Sequence, residues 1–85
     1  MYKILLSNIA KKALDKLSDD LFERIDRKMQ SLQYEPRPIG CIKLSDNDSY
    51  RIRVGDYRII YTIKDKVLEI LIFKVAHRKE VYKKL

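Results

Sequence analysis

The sequence predicts an α+β fold: two N-terminal helices packed on one face of a small, mainly antiparallel, twisted β-sheet, with a short basic C-terminal segment. Three observations carry this. Residues 50–61 alternate bulky apolar residues with arginines on either side of a Gly-Asp pair, which reads as two strands and a tight turn. A second apolar run, residues 67–75, follows Lys64-Asp65-Lys66 and supplies a third strand. Ahead of these lie two stretches whose apolar residues recur at helical spacing. A chain of 85 residues has room for one domain, spanning 1–85, and one modest core.

Taken in order, residues 2–6 form a short β-like run. Ser7 or Asn8 can cap the helix that follows. Ile9, Ala10, Ala13, Leu14 and Leu17 make one stripe of a helix of about ten residues. Ser18-Asp19-Asp20 is a break and a second cap, with acids where a helix N-terminus favours them. Leu21, Phe22, Ile25, Met29 and Leu32 continue the apolar stripe, while Glu23, Arg24, Asp26, Arg27 and Lys28 lie away from it. These apolar positions are expected in the core. The two prolines of Tyr34-Glu35-Pro36-Arg37-Pro38 stiffen a loop. Ile42-Lys43-Leu44 is a brief strand or the approach to one, and residues 45–49 are turn-prone.

With Gly55-Asp56 as a type II′ turn, Val54 faces Tyr57, Arg53 faces Arg58, Ile52 faces Ile59 and Arg51 faces Ile60. Directly paired residues share a side of the sheet. Tyr50, Ile52, Val54, Tyr57, Ile59 and Tyr61 then form the face the helices need, and Arg51, Arg53 and Arg58 form the other. With Asp65-Lys66 as the next turn, Ile63 faces Leu68, Tyr61 faces Ile70, Ile59 faces Ile72 and Arg58 faces Phe73. Like charges directly across a strand pair are destabilising. An anionic ligand explains why the arginines are kept there.

The formal charge is +7. Residues 1–49 hold 9 Lys+Arg against 8 Asp+Glu, and residues 50–85 hold 10 against 4, so the excess sits on the hairpin and beyond. That favours a polyanion, with nucleic acid ahead of an acidic protein or membrane surface. One cysteine, Cys41, excludes an internal disulfide and suits a reducing compartment. One Cys and one His make no zinc set. No apolar run approaches the ~20 residues that span a bilayer, and the N-terminal apolar run is too short for a signal peptide. The chain is expected in the cytoplasm, without metal, cofactor or membrane partner.

Arginines hold phosphate oxygens in a bidentate grip and stabilise developing charge. His77 offers an imidazole that can give or take a proton, Arg78 can neutralise a leaving group, and Tyr82 offers a hydroxyl or a stacking ring. RNA carries its own nucleophile, the 2′-OH. Its cleavage needs in-line geometry, charge stabilisation and proton transfer.

The run Tyr50-Arg51-Ile52-Arg53-Val54-Gly55-Asp56-Tyr57-Arg58-Ile59-Ile60-Tyr61, followed by an apolar strand and His77-Arg78-Lys79-Glu80-Val81-Tyr82, resembles the RelE branch of the RelE/ParE toxin superfamily. The resemblance covers nearly the whole chain. It implies a type II toxin that cleaves mRNA in the ribosomal A site and is held by an acidic, RelB-like antitoxin. It implies phosphate contact and proton transfer at Arg51 and Arg53, which match lysines in well-studied members. It further implies transition-state stabilisation by Arg58, a leaving-group contact by Arg78 and substrate orientation by Tyr82. Lys43, Lys74, Lys79, Lys83 and Lys84 are expected to add RNA contacts. Arginine is a poor general base, so His77, Glu80 or Lys43 is left to act as one. Two alternatives share the fold: a ParE-like DNA gyrase poison, and a catalytically weak member that binds RNA or antitoxin.

Overall fold

A computed structural model describes residues 1–44 and 48–79. The elements run β1 (Lys3–Leu6), α1 (Asn8–Asp15), α2 (Asp19–Ser31), β2 (Ile42–Lys43), β3 (Ser49–Val54), β4 (Tyr57–Lys64) and β5 (Glu69–His77). The strands form one sheet in the order β1-β5-β4-β3-β2. Its pairings are antiparallel except that β1 runs parallel to β5. This is the expected α+β arrangement of two helices on one face of a mainly antiparallel sheet. No helix among the described residues is long and apolar enough to cross a membrane.

Both helices start where a serine can cap them. Ser7 Oγ accepts the Ala10 N–H at 3.0 Å, and Ser18 Oγ accepts the Leu21 N–H at 3.3 Å. Asp19 and Asp20 occupy the first turn of α2, where the helix dipole favours negative charge. The helical stripes bury Ala10, Leu14, Ile25 and Met29, with Leu32 just beyond α2. These meet Tyr50, Ile52, Ile59, Tyr61, Ile63, Ile70, Ile72 and Val75 in one core. Ile9 and Phe22, expected in that core, are 68% and 40% exposed. Each sits at the margin of its stripe, where the ~100° turn per residue of a helix carries it towards solvent.

The β3–β4 register is the one read from the sequence, including Arg53 opposite Arg58 and Arg51 opposite Ile60. Gly55 has φ +57°, and Asp56 is not among the positive-φ residues, as a type II′ turn requires.

The β4–β5 register corrects the sequence reading. Ile63 pairs with Ile70 and Tyr61 with Ile72, two residues further along β5 than expected. The turn is residues 65–68, not Asp65-Lys66 alone, and it places Leu68 at φ 54°. The register then shifts between Ile60 and Tyr61: Ile60 pairs with Lys74, Ile59 with Val75, Arg58 with Ala76 and Tyr57 with His77. Phe73 is the extra residue of this bulge, and the Ser7 hydroxyl donates to its carbonyl at 2.9 Å. One inserted residue reverses which side every later β5 residue faces. The consequences fall on Lys74 and His77.

Candidate functional site

Arg51 and Arg53 alternate with Tyr50 and Ile52, which are buried under the helices. The arginines must therefore leave the sheet on its helix-free side. Arg53 pairs directly with Arg58 and so shares that side with it. The bulge adds a fourth cation, since Lys74 pairs with Ile60 on the same side as Arg58. Without the extra Phe73, Lys74 would face the helices.

The cations differ in exposure. Arg53 is exposed and Arg51 half-buried, whereas Arg58 is only 4% exposed, with Nε and Nη1 sealed from solvent. A guanidinium keeps its charge when buried. In a less polar surrounding that charge acts on an anion more strongly than it would in water.

The Arg78 N–H donates to the Asp56 carbonyl at 2.7 Å. This bond ties the chain after β5 to the β3–β4 turn, at the end of the sheet where Arg53 and Arg58 pair. Arg78 and Lys79 are exposed there. Tyr82, Lys83 and Lys84, together with Glu80, lie outside the described residues.

His77 and Lys43 do not join the arginines. His77 pairs with Tyr57, and the two rings meet edge to face with centroids 5.4 Å apart at 81°. Both line a cavity of about 180 Å³ with Ala13 of α1 and with Lys16 and Leu17 just after it, on the helix side of the sheet. The Lys79 N–H donates to His77 Nδ1 at 3.2 Å. Lys43 pairs with Tyr50, on that same side, and stands exposed on the edge strand. Of the three candidate bases, the two described ones, His77 and Lys43, do not face the cluster of arginines.

Sequence reading missed Arg24, Arg27 and Lys28, which border Arg53 across a cleft of about 530 Å³. Their signal was spacing: positions i, i+3 and i+4 share one helix face. No group of three or more His, Cys, Asp or Glu that could hold a metal ion occurs among the described residues.

A family model described as the ParE toxin of the type II toxin–antitoxin system parDE matches residues 4–82. None of the curated proteins compared matches the chain. Among solved structures, the archaeal RelE–RelB complex of Pyrococcus horikoshii contains a chain 35% identical to this one. The match covers 91% of this chain and 94% of that one, with a TM-score of 0.83. The RelBE2 toxin–antitoxin complex of Mycobacterium tuberculosis contains a similar chain at 25% identity, covering 91% and 98%, with a TM-score of 0.79. The isolated RelE toxin of E. coli shares the fold at 20% identity, covering all of both chains, with a TM-score of 0.81.

Proposed function

This chain belongs to the RelE/ParE superfamily of type II toxins, and we propose that within it the protein is a ribosome-dependent mRNA endoribonuclease of the RelE kind. One observation carries this reading. Arg51, Arg53, Arg58 and Lys74 share the helix-free face of the sheet, and Arg78 is tied to the turn at its end. Like charges gathered on one face cost stability, and a phosphodiester strand offsets that cost.

The reaction is transfer of the 3′-phosphate to the neighbouring 2′-oxygen. The 2′-O–P bond forms as the P–O5′ bond breaks, the 2′ proton leaves, and the 5′-oxygen gains one. No metal or cofactor is needed for that balance. Arg51 and Arg53 would clamp the strand, Arg58 would stabilise the charge on the phosphorane oxygens, and Arg78 would neutralise the departing 5′-oxygen. Tyr82, by its likeness to the family position, would orient the base. The reading gives proton transfer to neither His77 nor Lys43, which face the helices. The protein's share of catalysis is then in-line positioning and fixed positive charge.

The related structures from P. horikoshii and M. tuberculosis are complexes with antitoxins, which supports an acidic, RelB-like antitoxin for this chain. Ile9 and Phe22, apolar and exposed on the helices, offer it anchors. Action on ribosomes places the protein in the cytoplasm as a single toxin domain.

The test is to map mRNA 5′ ends and DNA supercoiling after brief expression, then repeat the cleavage with purified ribosomes. Codon-phased cuts are expected, and Arg58→Lys should lower their rate about 10²–10³-fold. A matched thermal melt checks that this buried position still folds. DNA breaks with intact mRNA would replace this reading with a gyrase poison. Ribosome binding without cuts would leave a catalytically weak binder.

A further inference from the structure

The basic surface continues past the arginine face. Among the described residues, β2 covers β3 only at Tyr50 and Arg51, and no strand covers the β3 edge from Ile52 to the turn. Arg53 lies on that edge and lines three adjoining clefts. One, of about 240 Å³, joins it to Arg51 and Ile42. A second, of about 390 Å³, joins it to Lys28 and Gly55. The third, of about 530 Å³, joins it to Arg24, Arg27 and Lys28 of α2. The path therefore runs unbroken from the sheet face round its edge to the helix.

Its far end depends on Gly55. A Cβ at that position would stand 3.3 Å from Arg24 Nη2, so the missing side chain lets the Arg24 guanidinium lie over the turn. Among the described residues, no carboxylate lines any of the three clefts. Arg24, Arg27, Lys28 and Arg53 make no ion pair among the described residues. Asp26, one of their acidic neighbours on α2, accepts a hydrogen bond from Gln30. Arg24 and Lys28 are a like-charge pair at i, i+4, which weakens a helix. The i, i+4 spacing of Asp20 with Arg24 and of Glu23 with Arg27 supports the helix, but it gives no reason to bring Lys28 and Arg53 to the same cleft.

We propose that the phosphodiester backbone of an RNA strand leaves the arginine face over the β3 edge and lies in the cleft between α2 and the β3–β4 turn. Arg24, Arg27 and Lys28 hold its phosphates there. This inference rests on the RNA-cleaving reading above and extends its site. The lining points to phosphates and not to bases, because its described residues include no aromatic ring on which a base could stack. It suits RNA better than a peptide, because interface cores are built on aromatic and apolar anchors and, among the described residues, only Val54 is apolar in the α2 cleft. The grip is independent of sequence, so it positions a strand without selecting the codon cut.

The experiment uses the triple variant Arg24→Gln, Arg27→Gln, Lys28→Gln, which keeps good helix formers on α2. A control triple, Lys3→Gln, Lys11→Gln, Lys12→Gln, removes the same charge from other exposed positions. Binding to a labelled 20-nucleotide oligouridylate is followed from 0.05 to 0.5 M salt, alongside binding to ribosomes and to antitoxin. For three lost phosphate contacts, the slope of log affinity against log salt should become shallower by about 2, and affinity at 0.1 M salt should fall about 100-fold. The control should move far less. Loss on the oligonucleotide identifies the message strand as the occupant, and loss on ribosomes alone identifies ribosomal RNA. Equal slopes and affinities for the two triples on both RNAs would overturn the proposal. Lost antitoxin binding with RNA binding intact would give the cleft to the antitoxin. If the wild type binds RNA yet cuts no mRNA, the cleavage reading fails while the slopes still decide the cleft.

Discussion

Two residues hold positive φ close to +55°, and they differ in how well the sequence reveals them. Gly55, at +57°, heads the turn between β3 and β4. A Gly-Asp pair between alternating strands announces that geometry, so the turn and the pairing of Arg53 with Arg58 were both legible. Leu68, at 54°, ends the next turn, where a leucine gives no such signal. It is held there from outside, since its carbonyl accepts the Lys3 N–H at 2.8 Å where β1 joins the sheet. The expected two-residue turn was wrong for that reason. Gly55→Ala should cost about 1–2 kcal/mol through its left-handed backbone, read as a lower urea midpoint at unchanged m-value. The added methyl also meets Arg24 Nη2, so the salt slope of RNA binding should become shallower in the same variant. A stability loss without that change would separate the turn from the cleft.

At the scale of elements, the helices were legible and the bulge was not. Ser7 and Ser18 were readable as caps because each precedes an apolar stripe. Phe73 looks like an ordinary β residue, and nothing in its neighbours marks it as the one that falls out of register. Because it does, Lys74 joins the arginines and His77 packs on Tyr57. The parallel partnership of β1 with β5 was equally hidden, since it joins the two ends of the described chain. The cations of α2 were read only as lying away from the apolar stripe, because their neighbour Arg53 arrives only through the fold. Ser7 links the legible and hidden parts: its Oγ caps α1 and its hydroxyl donates to the Phe73 carbonyl. The Ser18 side chain makes only a cap among the described residues. Ser7→Ala should therefore cost about 2 kcal/mol and Ser18→Ala about 1. Equal losses in chemical denaturation would show that the contact to the bulge adds nothing.

Across the whole molecule, one polar cluster joins segments that are far apart in the chain. Asp65, in the β4–β5 turn, accepts the Tyr2 hydroxyl at 2.6 Å and Arg37 at 2.9 Å, while Arg37 Nε donates to the Tyr50 hydroxyl at 3.0 Å. The Arg37 guanidinium also lies 5.2 Å from the centre of the Tyr50 ring, and that ring stacks on Tyr61 in the core. The start of the chain, the proline loop and the sheet are thus fastened at one point. The hydrogen bonds from Arg37 and then Tyr2 hold the Asp65 carboxyl below its usual range. The bond to Asp65 holds the Tyr2 phenol above its usual range. The two shifts have opposite consequences. A lowered carboxyl stabilises the fold above the unfolded carboxyl pKa, and that contribution is lost as pH falls through the folded value. A raised phenol stabilises it below the unfolded phenol pKa, and that contribution is lost as pH rises through the folded value. The cluster should therefore widen a stability plateau that falls away on the acid side through Asp65 and on the alkaline side through Tyr2. Urea midpoints measured from pH 2 to 11 test this. Asp65→Asn should flatten the acid limb, and Tyr2→Phe should flatten the alkaline limb while leaving most of the acid limb in place. Since Asp65 and Arg37 are both exposed, the acid limb should also shrink in high salt. An acid limb identical in Asp65→Asn and the parent would show that other carboxylates set it, and that the Asp65 carboxylate adds nothing to the fastening of the three segments.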